Sequence, residues 1–444
     1  VTGRHAALGA QHAAPKPHHG AGIRRQIARR LSWGIADQAV SSLGNFLLGV
    51  FVARLLGATS LGALGLAFVA YAVALNCSRA LATDAVMVRF SAAGNDSWRT
   101  AVAAATGVAL MVGVAGGAVC LAGGLIWRSH SPGSDAAAAF VALGIVLPGL
   151  MLQDSWRSAF FAAGEGAKTF LNDTVWTVLL IGVLAWGAAA DIGGGITFAI
   201  LVFGGTATVA GVFGAWQARI VPRPAHTLSW LSSHRDLGTR FLIENVVLGA
   251  GGQIRALVVA ATGGLAAAGA IRGAEMLIGP VAALLMGVGQ VAVPEAARAL
   301  TRGRRPLARL CLALSGGLAL MGVAWGLVVI VIFPFGPGEL VLGAVWPDAR
   351  VLTLGVIVSY AAGCMHVGPS AGLRALGRAD LTMQSQLTVT GLFVGLAAVG
   401  AILFDAQGAV WGTVIASVAG IWIWWNRLQK AQRERFTEEE VVEA

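Results

Sequence analysis

Twelve stretches of this chain are each long and apolar enough to cross a lipid bilayer, and nothing else in the sequence limits the fold as strongly. They lie near 33–56, 62–89, 101–127, 137–163, 170–190 and 194–218, then 240–262, 266–297, 307–334, 350–376, 381–404 and 407–426. Hydrocarbon supplies no water to backbone N–H and C=O groups, so such spans must close their hydrogen bonds internally, as α-helices. With 57% hydrophobic and 12% charged residues, no segment remains from which a sizeable soluble domain could be built. The expected fold class is an all-α polytopic membrane protein of twelve transmembrane helices.

Charge sets the expected orientation. With the N-terminus on the cytoplasmic side, about 25 of the 31 Lys and Arg residues fall on the inner side, including Arg24, Arg25, Arg29, Arg30 and the runs 219–240, 298–309 and 427–435. Arg54, Arg128 and Arg350 sit at outer ends. This bias predicts N-in and C-in topology. The net charge of +10 is then a topology signal, and no nucleic-acid partner is expected. Residues 1–30 lack the apolar core of a signal peptide and read as a disordered basic tail against anionic lipid. Val1 and the Arg/Ala/Gly bias point to a GTG start codon in a high-GC bacterium, hence a bacterial cytoplasmic membrane. Trp33, Trp98, Trp127, Trp186, Trp346, Trp411, Trp424 and Trp425 lie near span ends, as an interfacial aromatic belt requires.

The chain also repeats itself. Shifted by 207 positions, Gly44, Ala53, Gly57, Gly62 and Ala63 fall on Gly251, Ala260, Gly264, Gly269 and Ala270, and Asp37-Gln38 falls on Glu244-Asn245. Later, Ala163-Gly164-Glu165-Gly166 and Leu376-Gly377-Arg378-Ala379 each form a tight inner turn. Six spans per half is even, so both halves start on one side and the repeat is parallel, with its pseudo-two-fold along the membrane normal. The expected organisation is a tail (1–30), a six-helix lobe (31–219), a cytoplasmic linker (220–239), a second six-helix lobe (240–428) and a C-terminal tail (429–444). In the linker, Leu228, Trp230 and Leu231 could lie on the membrane surface, with a plain connector the favoured reading. Pro148, Pro280, Pro294 and Pro369 stand deep in apolar runs, where prolines commonly mark bends.

An ionisable side chain inside a span costs about 2.5–3.5 kcal/mol on the insertion scale and needs a reason. Arg79 falls in the inner half of the bilayer, Arg255 and Arg272 in the outer half. Guanidinium stays charged and grips phosphate oxygens in a two-pronged fashion, so three at staggered depths could line a passage for a phosphate headgroup. The alternative is structural pairing, of Arg272 with Glu275 and of Arg79 with Asp84 or Asp37. Asp37 and Glu244, at matching inner depths, are candidates for proton or Na⁺ coupling; a salt bridge at the cytoplasmic mouth is the simpler role.

Other chemistry is thinly represented. Gly166-Ala167-Lys168-Thr169 lacks the glycine and the preceding strand of a phosphate loop. The glycosylation patterns at Asn95 and Asn172 lie on the wrong side or inside a span, and His366 beside Cys364 reads as packing. The four cysteines have no metal spacing, and neither a metal site, a cofactor nor an enzymatic activity is expected.

The run Ala36-Asp37-Gln38 to Asn45-Phe46, then Ala53-Arg54-Leu55-Leu56-Gly57 and Gly62, resembles the opening of Wzx-type polysaccharide flippases, in the multidrug/oligosaccharidyl-lipid/polysaccharide (MOP) exporter superfamily. Gln153-Asp154-Ser155-Trp156-Arg157 with Asn172-Asp173 resembles the junction of that family's fourth and fifth helices. Gln253-Ile254-Arg255, Gly269-Ala270-Ile271-Arg272 and Gly279-Pro280 resemble its seventh and eighth. The resemblance implies two six-helix bundles around a cavity open to one side at a time. It also implies export of a polyprenyl-diphosphate-linked glycan, with a polysaccharide polymerase or glycosyltransferases as partners and Arg79, Arg255 and Arg272 as headgroup ligands. The chain ends at twelve spans, which argues against the lipid II branch of the superfamily. Two rival expectations stand beside it: a proton- or Na⁺-coupled antiporter for cationic drugs, resting on Asp37 and Glu244, and a non-transporting scaffold for glycan-assembly enzymes.

Overall fold

The computed structural model describes the backbone of residues 19–90 and 95–443; the side chains of 19–31 and 243–253, among others, lie outside the described residues. Every element is helical, and no strand occurs among the described residues. The first half consists of α1 (His19–Ser78), a π-helical turn (Arg79–Thr83), α2 (Asp84–Arg89), α3 (Asn95–His130), α4 (Asp135–Ala162), α5 (Gly166–Ala189) and α6 (Gly195–Ala218). A short α7 (Thr227–Ser233) leads into α8 (Arg235–Leu277) and α9 (Gly279–Leu300). Then follow α10 (Arg304–Ile332), α11 (Pro337–Leu342), α12 (Trp346–Cys364), α13 (Val367–Ala375) and α14 (Ala379–Glu443). The region read from sequence as a tail thus carries helical backbone from His19, and residues 1–18 of it lie outside the described residues.

Among the described residues, nine segments are long and apolar enough to cross a membrane. Two of them run 56 and 57 residues, roughly 84 Å if straight against about 30 Å of hydrocarbon. Both are broken, at Gly57 and at Phe404-Asp405, and α8 is broken in the same way at Gly264. Each of the two long segments continues across its break and so takes in two of the apolar stretches. Proline acts unevenly. Pro280 stands in the first turn of α9, just past a break at Ile278, whereas α4 runs on through Pro148.

The sequence repeat has a backbone counterpart. Gly57 (φ 82°, ψ −173°) and Gly264 (φ 78°, ψ 174°) adopt one conformation, nearly closed to residues with a Cβ. Gly164 and Gly377 share φ 74°, and each sits in the same helix-ending turn: Glu165 N donates to Phe160 O and Arg378 N to Leu373 O. At the contact between α1 and α8 the relation is reciprocal. A Cβ on Gly62 would lie 1.9 Å from Leu265 O, and one on Gly269 would lie 1.9 Å from Ala58 O. Ala58 and Leu265 are themselves 207 residues apart, so the duplicated units touch each other through equivalent backbone.

Small residues govern the packing elsewhere, as is usual where lipid gives helices no hydrophobic reason to associate. Gly117 and Gly144 bring α3 and α4 together at backbone distance, and Gly400 and Gly408 do so for the two arms of α14. A larger core of Leu48, Leu143, Leu147, Leu150, Met151 and Phe203 joins α1, α4 and α6. Fixed around it, α1 and α8 carry the polar residues described next.

Candidate functional site: a cavity between the duplicated units

A cavity of about 600 Å³ lies between α1 and α8, with α12 contributing Tyr360. Gly62, Gly65 and Ala72 open the α1 wall, and Phe68 and Tyr71 supply aromatic surface. The chain's two tyrosines, Tyr71 and Tyr360, thus both face one space. From α8 come Arg255, Arg272 and Glu275.

Glu275 is shared. Its Oε1 accepts from Arg255 Nη2, and its Oε2 lies 4.0 Å from Arg272 Nη1. Arg255 and Glu275 keep only 15% of their side-chain surface exposed, whereas Arg272 keeps 43%. The Arg255 guanidinium also lies 5.5 Å from the centre of the Phe393 ring on α14, a cation–π contact. Two guanidiniums on one carboxylate leave a net positive charge in a confined space, with the more exposed arginine only loosely engaged.

Arg79 is elsewhere. It stands in the π-helical turn and grips Asp154 on α4 with both prongs, Nε to Oδ2 at 3.0 Å and Nη2 to Oδ1 at 2.6 Å. The structure therefore brings Arg255 and Arg272 into one cavity and ties Arg79 into a separate cluster within the first half. The carboxylate it hydrogen-bonds is neither Asp84 nor Asp37, the two acids its position in sequence offered, although Asp84 lies near enough to act on it through charge.

That cluster is extensive. Arg157 on α4 donates from Nε to Asp37 Oδ2 at 2.8 Å and from Nη2 to Gln38 Oε1 at 3.3 Å, and its Nε lies 3.7 Å from Asp173 Oδ2. Gln153 Nε2 donates to Asp173 Oδ1 at 2.7 Å and to Asn172 Oδ1 at 3.3 Å; Asn172 Nδ2 donates to Ala210 O at 2.8 Å. Asp37 and Asp173 are fully buried, and Asp37 Oδ1 and Asp173 Oδ2 have no hydrogen-bond partner. Counted as ionised, three carboxylates (Asp37, Asp154, Asp173) against two guanidiniums (Arg79, Arg157) leave one negative charge in excess. Asp37 thus sits in a salt bridge that belongs to a larger acidic network. Glu244, its counterpart by the repeat, lies outside the described residues.

Sequence reasoning passed over Asp154, Arg157 and Asp173 as functional candidates. The signal was available: each lies inside an apolar span, and the cost of a buried charge used for Arg79 applies equally to them. His366, read as packing, bonds Ser417 O through Nε2 and stacks on Trp424. No group of three or more His, Cys, Asp or Glu residues that could hold a metal occurs among the described residues.

No family model matches the chain, and no curated protein matches it at a significant level. Solved structures do. An inward-facing multidrug resistance MATE family transporter of the MOP superfamily superposes with a TM-score of 0.67 at 18% identity, over 88% of this chain and 96% of that one. The chain shares the fold of that transporter. The lipid II flippase MurJ in an inward closed conformation gives 0.65 at 11% identity, covering 90% of this chain and 88% of that one. A MOP superfamily transporter from Pyrococcus furiosus gives 0.51 at 15% identity over 94% and 100%; its binding pocket is described as having reverse polarity, suggesting a different function.

Proposed function

We propose that the chain is a flippase that carries a polyprenyl-diphosphate-linked oligosaccharide from the inner to the outer leaflet of a bacterial cytoplasmic membrane, by alternating access. The observation that supports this most is the surplus positive charge of Arg255 and Arg272 in the cavity between the duplicated units. A diphosphate offers several anionic oxygens, and a pair of guanidiniums is suited to hold them. In this reading twelve crossings form two six-helix bundles, N-in and C-in, and the units touching at Gly62 and Gly269 close the outer end. Arg79, bound to Asp154, holds the first bundle together and does not touch the cargo. With the cell interior negative, moving an anion outward gains about 2.3 kcal/mol per charge per 100 mV, so no nucleotide is needed to drive it. A polymerase or glycosyltransferases would use the exported product.

The test is genetic: Arg255→Ala and Arg272→Ala in the producing cell are expected to abolish surface glycan while the protein still inserts in the membrane. Wild-type glycan in both variants would remove the arginines from the mechanism.

A second reading, a proton- or Na⁺-coupled antiporter for cationic drugs, draws support from the excess negative charge of the Asp37–Arg157–Asp173 network. Drug resistance that Asp37→Asn abolishes would favour it. The two readings place the cargo against opposite charge, and the cavity itself is positive.

A further inference from the structure

The linker is strapped to the first half by its own backbone. Arg223 N donates to Ala103 O on α3 at 2.7 Å, and a Cβ on Gly107 would come within 2.4 Å of the Arg223 carbonyl carbon. Arg99 fixes the other side: its Nη1 and Nη2 donate to Ala218 O and Arg219 O, the carbonyls that end α6. Trp230 is buried, bonds Leu81 O through Nε1 at 3.1 Å and stacks on His234 with ring centres 4.0 Å apart. The result is a fixed groove rather than a loose connector.

This groove encloses about 420 Å³ and is lined by Arg99, Arg219 and Arg223, with Asp96 and Thr100. Arg219 and Arg223 are exposed, and no side-chain hydrogen bond or ion pair is found for either among the described residues. Three guanidiniums against one carboxylate give the groove a charge of +2. Apolar side chains that water does not favour adjoin the arginines: Val221, 78% exposed, lines the groove, and Trp216, 72% exposed, stands one turn before Arg219 at the end of α6. Trp216 lies in the last turn of a spanning helix, at the depth where indole rings meet headgroups. A soluble anion would use the arginines and leave these residues in water. A lipid uses both.

We infer that this groove binds the phosphate of an anionic phospholipid from the leaflet on the linker side. Arg219 and Arg223 take the phosphate oxygens, and Asp96 and Thr100 accept from headgroup hydroxyls. The acyl chains run over Trp216 and Val221. The site lies outside the cavity between the duplicated units and does not depend on the cargo proposed for it. It gives the linker joining the two halves a fixed lipid contact on the first half.

The test uses the full-length, delipidated protein in detergent, titrated with dioleoyl phosphatidylglycerol and read by native mass spectrometry. The paired variant Arg219→Gln/Arg223→Gln is expected to bind the lipid at least ~10-fold more weakly, since each arginine at an anionic surface contributes about a factor of five. The control Arg304→Gln/Arg305→Gln, which removes the same charge from an exposed pair at the start of α10, is expected to bind as wild type does. Glycerol phosphate at tenfold excess is expected not to compete. Equal losses in both variants would reduce the site to general attraction, and competition by glycerol phosphate would assign it to a soluble anion; either result overturns the proposal. Arg219→Lys/Arg223→Lys, which keeps the charge, separates loss of binding from loss of structure by retaining most of the affinity.

Discussion

Glu275→Gln removes the one carboxylate that lines the central cavity among the described residues, and leaves Arg255 and Arg272 facing each other without it. The two contacts differ in worth. Arg255 and Glu275 are each 15% exposed and directly hydrogen-bonded, so their separation approaches the cost of breaking a buried pair, about 3–5 kcal/mol. Arg272, 4.0 Å away and 43% exposed, behaves as a surface pair worth under about 1 kcal/mol. The amide oxygen of the glutamine can still accept from Arg255 and offsets part of the loss, while the cation–π contact of Arg255 with Phe393 is present in both forms and cancels. We expect a net destabilisation of about 2–4 kcal/mol, read as a lower thermal midpoint in detergent. The same argument predicts recovery. Inorganic pyrophosphate can occupy the place of the lost carboxylate, so millimolar pyrophosphate should raise the midpoint of Glu275→Gln more than that of wild type. If the variant is as stable as wild type, or pyrophosphate leaves its midpoint unmoved, the two arginines are not the paired anion site described here.

Three further outcomes follow from the geometry. Arg157→Gln strands Asp37 and Asp173 as buried acids without a counter-charge and should cost about 3–5 kcal/mol, with Asp37→Asn in the same chain restoring part of it; additive losses in the double variant would argue against a shared network. Gly57→Ala and Gly264→Ala meet no neighbouring atom, so each should cost only the backbone strain of its conformation, about 1–3 kcal/mol, and to a similar degree; a large difference in thermal midpoint would break the equivalence of the repeats. Gly62→Ala and Gly269→Ala each drive a methyl group into a carbonyl oxygen of the other unit, so both should separate the α1–α8 contact, visible as a longer spin-label distance across it. An unchanged distance in either variant would mean that the contact yields locally.

What could be read from the residues was set by what depends on neighbours close in sequence. Apolar length dictates helices wherever lipid surrounds them, and the aligned glycines at 57 and 264 and at 164 and 377 carry the repeat because only particular backbone conformations need them. The continuity of helices was less legible: α4 passes Pro148 unbroken, whereas the turns at Gly57, Gly264 and Phe404-Asp405 fall where the apolar stretches divide. Pairing was the least legible of all. Arg79 finds Asp154, 75 positions away, because partners between helices are chosen by rotation about the helix axes, which a linear pattern does not record. For the same reason Arg157, quoted only for a family likeness, proved to be the hub of the acidic network. Glu275, by contrast, was visible as a partner of Arg272 at helical spacing, although its tighter bond is to Arg255.

The central claim is that the cavity between the duplicated units accepts a phosphorylated lipid headgroup through Arg255 and Arg272. Its most direct test is transbilayer movement of a fluorescent polyprenyl-diphosphate-linked sugar in proteoliposomes of the purified chain, beside the same lipid with a neutral headgroup. The account predicts movement of the diphosphate lipid alone, lost in Arg255→Ala/Arg272→Ala. Equal movement of the neutral lipid, or an undiminished rate in the double variant, would contradict it.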